Sequence, residues 1–494
     1  MKKTTWRLLT VAVLLVVSTV AICAQTPEEA PRETWMSVYM GDLRIGYLRI
    51  AMSKTQYEGK EVYKYDSLIR TKLSMLGATV KQDVNTIVYT DLDMKPMAEL
   101  FEMSSGGSST KVEAVFKPKS VECKLISQGS TTNKSVPIPA DAKLVGDSSM
   151  YGLGGKTPQV GAKDTLSYFN PLTITIDTLT VEVLRQEKMK LKDKTYDTYV
   201  IRSQTPMGDI TSWQEPSGDV VKIVSLMGMM MVRETKEEAL AGQDAPAVYS
   251  APTDFAILTS VKADRDIADP RKVSQMTIRL TGFSDRNLAV SDARQQISWI
   301  KDSAPLAAEY AITARKTSSA NAAQLPIDSD ALRPYLADDS YVQASNPVIK
   351  KQAESIVGNE KNSVVAASKI RAWVNKNMKP KGDIGVLRSS VDVFNNRNGV
   401  CRDYAVLYAA LARAAGIPTR IAAGLVFLNG SFYYHAWAES YTGEWTSFDA
   451  TLPTDFVDAT HIKLTQGDAT SMFGVSKVIG GLSAHIVDYK HLGR

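Results

Sequence analysis

The stretch from Val400 to Pro418, VCRDYAVLYAALARAAGIP, decides how the rest of this chain is read. Its apolar spacing predicts one helix from Val400 to Ala415, closed by Gly416 and stopped by Pro418. Positions 401, 404, 405, 408, 411, 412 and 415 fall on one face, which apart from the cysteine is Tyr, Leu and Ala. Cys401 therefore lies on the inward side of the first turn, with Gly399 two residues before it. The next three segments are strand-like. RIAAGLVFL turns at Asn429-Gly430 into SFYYHAWAESY, which turns at Thr442-Gly443 into EWTSFDAT. A helix feeding an antiparallel sheet through short hairpins is an α+β pattern.

That order permits a specific chemistry. A helix amino terminus has unpaired N–H groups and partial positive charge. A thiol there is drawn toward thiolate, and the same N–H groups can hold an oxyanion when it attacks an acyl carbon. His435, in YYHAWAE, can act as its base, and Asp449, in TSFDAT, can orient the imidazole. Counted outward from the Thr442-Gly443 turn the two are nearly equidistant, so they are expected side by side across the strand pair. Taken singly, such a histidine is usually a packed residue and such an aspartate a turn former. The three together, in this order, are far more specific. His461, His485 and His491 have no comparable setting in the sequence.

The chain has 494 residues, enough for two to four domains, and its 44% hydrophobic and 22% charged content is that of an ordinary globular protein. The first 24 residues read as a signal peptide: Lys2 and Lys3, an apolar run from Leu8 to Ile22 too short to span a bilayer, then Ala21-Ile22-Cys23-Ala24 for cleavage. Ile22 is bulky where lipidation at Cys23 would need a small residue. The formal charge of +5 falls to about +2 without Lys2, Lys3 and Arg7, too little to argue for nucleic acid or an anionic membrane. Export to the periplasm or beyond, with no membrane span in the mature chain, is the expectation.

Residues 25–252 read as a β-rich domain of unknown role. MSVYMGDLRIGYLRIAMSK alternates around Gly41-Asp42 as a hairpin does. Ser104 to Ser109 reads as a flexible connection rather than a site, and the methionines at 227, 229, 230 and 231 as strand packing rather than a soft-metal site. In SVECKLIS, Cys123 shares a strand face with Val121 and Leu125 and reads as a buried small apolar residue. An oxidising compartment would permit a Cys123–Cys401 disulfide, which sequence leaves open. Residues 253–330 form a second β-rich segment, with a loop or linker from Arg315 to Gln324. From 331 onward helices take over. NPVIKKQAESIVG and SVVAASKIRAWVNKNMK carry three-to-four spacing, with Pro347 near one start and Pro380 past the other's end.

GVCRDYAVLYAALARAAGIPTRIAAG, YYHAWAESY and WTSFDAT together closely resemble the transglutaminase-like cysteine-hydrolase superfamily, whose core is related to papain-like proteases. The resemblance runs from about Ala344 to Leu464 and includes the lead-in IRAWVNKNMKPK. It implies an α+β catalytic domain over 331–494, with a helix and then an antiparallel sheet. It also implies Cys401 as nucleophile, His435 as base and Asp449 as the third member. Arg402-Asp403 matches the common C-R-D form, both residues being candidates to line the site, with Asp403 ordering the helix start. Trp437 and Trp445 match packing residues lining the site, and Arg413 and Arg420 a structural signature.

Such a domain is expected to be an exported cysteine-dependent amide or peptide hydrolase working through an acyl-enzyme. Its substrates would be proteins or peptides, cell-wall peptide among them, and no cofactor or metal is called for. The alternatives are acyl transfer from protein glutamine to amines, and a non-catalytic binding module of the same fold.

Overall fold

The computed structural model describes residues 32–493, apart from 76–77, 128–129, 147–157, 226–227, 243–253, 315 and 383–385. The expected leader, with Lys2, Lys3 and Cys23, and the methionine at 227 lie outside the described residues. The chain forms two compact units, one built by the strands from Arg32–Met40 to Met229–Glu234 and the other from Asp254 onward. Among the described residues no helix is long and apolar enough to cross a membrane.

The amino-terminal unit is one fifteen-stranded sheet in which almost every strand pairs with its neighbour in sequence. Gly41-Asp42 makes a two-residue turn, with Met40 opposite Leu43. The first strand also pairs antiparallel with the last, setting Val38 against Met231 and Met40 against Met229. Both methionines are buried there as strand packing. Ser104 to Ser109 is not a flexible connection. Ser104 pairs with Ser109 and Ser105 with Ser108 around a tight turn, because Gly106 and Gly107 both take the positive φ that such a hairpin turn requires. Cys123 is a buried free thiol on the strand Ser120–Ser127, and burial pushes it up to about 11.

The second unit is built around a five-stranded sheet. Its longest strands, Thr419–Leu428 and Ser431–Tyr441, form a hairpin with Gly424 opposite His435. Ile462–Gly467 pairs with the outer side of Thr419–Leu428. Two short strands share the outer edge of Ser431–Tyr441: Val261–Lys262 pairs at Ser431 and Phe432, and Trp445–Phe448 pairs from Ala438 to Tyr441. Between these, Tyr433 to Trp437 has no strand partner on that edge among the described residues. His435 lies in the middle of this gap.

The helix Cys401–Ala414 packs on this sheet, where the Tyr408 hydroxyl bonds Ser440 Oγ at 2.9 Å and its ring stacks on Phe448. Three more helices surround it: Pro347–Val357, Ser363–Asn377 and Ser390–Asn396. Asn346 and Asn362 cap the first two through their side chains, which is why those helices begin where they do. The stretch from Lys316 to Gln324 has no regular structure beyond a single bridge, yet it is tied down, with Asn362 Nδ2 donating to Ser319 O and Ala323 N–H to Thr442 O. A separate four-stranded sheet joins Val273–Phe283, Gln295–Trp299 and Leu306–Thr313 to the carboxy-terminal strand Ser483–His491.

Candidate functional site

The chain enters the cysteine helix through a constrained corner. Asn398-Gly399 pairs in parallel with Lys379-Pro380, which fixes the approach to Cys401. Asp403, in the first helical turn, accepts the Val400 N–H at 2.8 Å and so caps the helix from inside. The Arg388 guanidinium donates to the same carboxylate at 3.2 Å, and both side chains are buried. Gly399 holds a φ of 153°, and a Cβ there would meet Asp403 Oδ2 at 2.3 Å and Arg388 at 2.7 Å. The glycine is thus the gap into which the ion pair fits. Arg402 is buried too, donating to Val386 O at 2.7 Å. An Arg388→Ala variant strands a buried Asp403 carboxylate. It is expected to cost about 3–5 kcal/mol in urea unfolding followed by tryptophan fluorescence.

Cys401 is 2% exposed and begins the helix, so its own N–H is among those the helix leaves without an internal acceptor. His435 is fully buried. Its Nε2 meets Asp449 Oδ2 at 2.8 Å, which leaves Nδ1, unpaired by any conventional hydrogen bond, as the nitrogen available to sulfur. Burial by itself disfavours the His435 imidazolium. The Asp449 carboxylate and, more weakly, the Cys401 sulfur favour it, and the net shift is upward. Asp449 shows the mirror effect: burial would raise it, but the His435 and His461 imidazoles hold it well below the usual carboxylate range.

Asp449 is placed by its own loop. Thr451 donates to Oδ1 from its N–H at 2.8 Å and from its hydroxyl at 2.5 Å. The helix Ser363–Asn377 holds the loop from outside, with Asn375 donating to Ala450 O at 3.0 Å and Arg371 to Leu452 O at 2.9 Å. The register corrects one expectation. Tyr441 pairs with Trp445 and Ala438 with Phe448, so Asp449 falls level with Trp437 rather than His435. The turn is centred on Gly443, not between Thr442 and Gly443, and this moves the aspartate along the strand. It reaches the imidazole diagonally, within the span of such neighbours.

A family model described as "Transglutaminase-like superfamily" matches residues 350–450, a range that contains the cysteine helix, His435 and Asp449. These residues are a transglutaminase-like core. A second family model, for a protein family of unknown function (DUF3108), matches residues 36–230 in the amino-terminal unit. An uncharacterized protein of Mycobacterium leprae, ML0607, is 28% identical over 140 residues, 26% of this chain. The aligned region spans about half, 48%, of that relative's length. Among solved structures, a protein of Cytophaga hutchinsonii named provisionally as a cysteine protease is 21% identical, with a TM-score of 0.30, over 45% of this chain and 89% of that one. The periplasmic domain of TgpA from Pseudomonas aeruginosa, solved with ethylmercury, is 18% identical, with a TM-score of 0.29, over 41% and 94%. A β-barrel-like DUF1849 protein of Brucella abortus is 12% identical, with a TM-score of 0.30, over 42% and 96%.

Within the transglutaminase-like core the two expected tryptophans part company. Trp437 stacks on His435, with ring centroids 6.0 Å apart. Trp445 does not line the site. It lies level with Tyr441, six residues along the strand from His435, and packs with Tyr335, Tyr441 and the Arg420 guanidinium. Arg413 and Arg420 are structural as expected. Arg413 donates to Thr419 O and Ala337 O, and Arg420 pairs with the buried Glu439.

Sequence reasoning missed one member of the site. His461, which has no telling neighbours in the sequence, is fully buried, and its Nε2 lies 3.2 Å from the same Asp449 oxygen that His435 holds. Its ring also stands edge-on to Trp437 and to His435. The signal was present as a repeat, Asp449-Ala450-Thr451 and Asp458-Ala459-Thr460, the second leading directly into His461. Both aspartates use Oδ1 to accept the N–H and hydroxyl of the threonine two residues on. One donor atom from each of His435, Asp449 and His461 lies within 4.8 Å of the others, close enough for a small metal site. Both imidazole nitrogens, however, are aimed at a single carboxylate oxygen at hydrogen-bond distance, and the cluster is read as a hydrogen-bonded one.

Proposed function

We propose that this chain is an exported cysteine-dependent amide hydrolase acting on protein or peptide substrates, cell-wall peptide included. The observation that carries the reading is the two-sided use of His435, with Nε2 bonded to Asp449 at 2.8 Å and Nδ1 left for the Cys401 sulfur. A packed structural histidine has no need of a helix-borne thiol at one nitrogen and a buried carboxylate at the other. Support also comes from the transglutaminase-like core, and the leader expected from the first 24 residues supports export.

In this mechanism the Cys401 sulfur attacks the amide carbonyl carbon while His435 holds the thiol proton on Nδ1. The carbonyl electrons move onto oxygen, where the Cys401 N–H at the helix start can stabilise them. Collapse breaks the C–N bond as Nδ1–H passes its proton to the leaving nitrogen. A water then gives a proton back to Nδ1 and attacks the thioester, and the thiol is restored as the acid leaves. Asp449 keeps Nε2 protonated and the ring aimed throughout.

An amine could take the place of that water, giving acyl transfer. The test is incubation with a glutamine-containing protein and a labelled primary amine, reading released ammonia, new termini and incorporated amine in parallel. Hydrolysis products without amine incorporation are expected. Incorporation exceeding hydrolysis would move the reading to acyl transfer. Neither product, across a panel of protein and peptide amides, would favour a binding module.

A further inference from the structure

The second histidine of the site has more to do than fill space. His461 lies beyond residue 450, where the family match ends, and it is brought to Asp449 from the far side of the sheet. Gly424 makes this possible: a Cβ there would lie 1.9 Å from Ile462 O, so only glycine lets the strand behind His461 come in. The loop before that strand is then held by two arginines from the segment preceding the core. Arg294 donates to the carbonyls of Asp458 and His461, each at 2.6 Å. Arg271 lies 3.0 Å from the Asp458 carboxylate and donates to Thr460 Oγ1 at 3.1 Å. So much anchoring for one buried histidine calls for a reason.

The hydrogen-bond partners supply it. His461 Nε2 faces Asp449 Oδ2 at 3.2 Å. His461 Nδ1 faces the Asp458 carbonyl oxygen at 3.2 Å and Asp458 Oδ2 at 3.5 Å. Every oxygen on either side of the ring is an acceptor. A neutral imidazole has one N–H and one lone pair, so either tautomer would turn a buried lone pair toward oxygen. Only the imidazolium, a donor at both nitrogens, satisfies both sides.

We propose that His461 is a permanently protonated positioning residue, whose imidazolium bridges the Asp449 and Asp458 carboxylates and thereby holds Asp449 in the one orientation that serves His435. This rests on the proposed Cys401–His435–Asp449 chemistry and adds a fourth group to it. Because His461 shares the Asp449 oxygen, its fixed positive charge also draws on the carboxylate that stabilises the His435 imidazolium. The proton on His435 is left mobile while the one on His461 is locked.

The charged groups facing His461 agree. Asp449 comes from the loop after Trp445–Phe448 and Asp458 from its own loop. Arg271 and Arg294 come from the preceding segment, and the strand Ser431–Tyr441 presents His435 and Trp437. Lys463, two residues on, is taken up by Asp292 and Glu439. Burial and Arg271 disfavour the His461 imidazolium, but Asp458 and Asp449 outweigh them and the balance is upward.

Two readouts test this on the full chain. The first is nitrogen-15 NMR of labelled histidine rings, with the His461 signal assigned by its loss in His461→Gln. The expected result is two protonated ring nitrogens on His461 from pH 5 to 8. A His461 ring with one bare nitrogen at pH 7 would overturn the proposal. The second is the pH profile of Cys401 alkylation by iodoacetamide, followed by peptide mapping. Glutamine can still donate to Asp449 but carries no charge. His461→Gln should therefore move the alkaline limb of alkylation, set by His435, upward by about one pH unit. An unmoved limb would reduce His461 to packing. If wild-type Cys401 alkylates no faster than a free thiol, the nucleophile reading fails instead, and the NMR result on His461 is unaffected.

Discussion

Replacing Cys401 with alanine is expected to abolish amide cleavage, lowering kcat by at least about a thousandfold, with the fold intact. The magnitude follows from the role: without the sulfur no acyl-enzyme forms, and what remains is the rate from binding and the helix N–H groups. The fold should survive because the helix start is held by other residues. Asp403 caps it from within, Arg388 neutralises Asp403, and Tyr408 ties the helix to Ser440. Far-UV circular dichroism and turnover measured on the same sample separate the two effects. Cys123→Ala is the matching control. That thiol is buried in the other unit and pushed up to about 11, so turnover should be unchanged. Wild-type turnover in Cys401→Ala would mean that another group does the chemistry.

The second large effect belongs to Asp449→Asn, expected to lower kcat about ten-thousandfold. Asparagine keeps the shape but takes the charge from between two imidazoles and can turn an amide N–H toward His435. The sign of the pH effect comes from the observed shifts. Asp449 is the principal group raising His435, so without it the imidazolium is lost at lower pH. Residual activity should therefore fall off on the alkaline side earlier than in the wild type. Stability has its own signature. The folded-state Asp449 carboxyl is depressed, so its contribution is present above the ordinary carboxylate range and is lost only as pH falls through its lowered value. The difference in unfolding free energy between wild type and Asp449→Asn should be full at pH 6 and shrink in strong acid. A kcat within tenfold of wild type would remove Asp449 from the mechanism.

Local features of the site were legible in sequence. The expected helix from Val400 to Ala415 and the observed Cys401–Ala414 agree to a residue at each end, because the apolar stripe, Gly416 and Pro418 all act within one segment. The turns at Asn429-Gly430 and near Gly443 are likewise short-range events. Features that depend on register or on distant partners could not be read. One residue's difference in the turn centre set Asp449 level with Trp437, and the length of the same strand carried Trp445 away from His435. His461 reaches Asp449 only because Ile462–Gly467 pairs across Thr419–Leu428 at a bare glycine. Arg271 and Arg294 act on it from more than 160 positions away. The amino-terminal sheet shows the same division. Its hairpins arise from turn chemistry, whereas the pairing of Arg32–Met40 with Met229–Glu234 joins strands from opposite ends of the unit.

The most direct test of the Cys401–His435 pairing is the rate at which iodoacetamide labels Cys401 at pH 6 to 7, in the wild type and in His435→Ala. An imidazole whose charged form is favoured, set against the sulfur, should make Cys401 react several-fold faster than a free thiol, and His435→Ala should remove that advantage. Labelling at the free-thiol rate in both proteins would contradict the account.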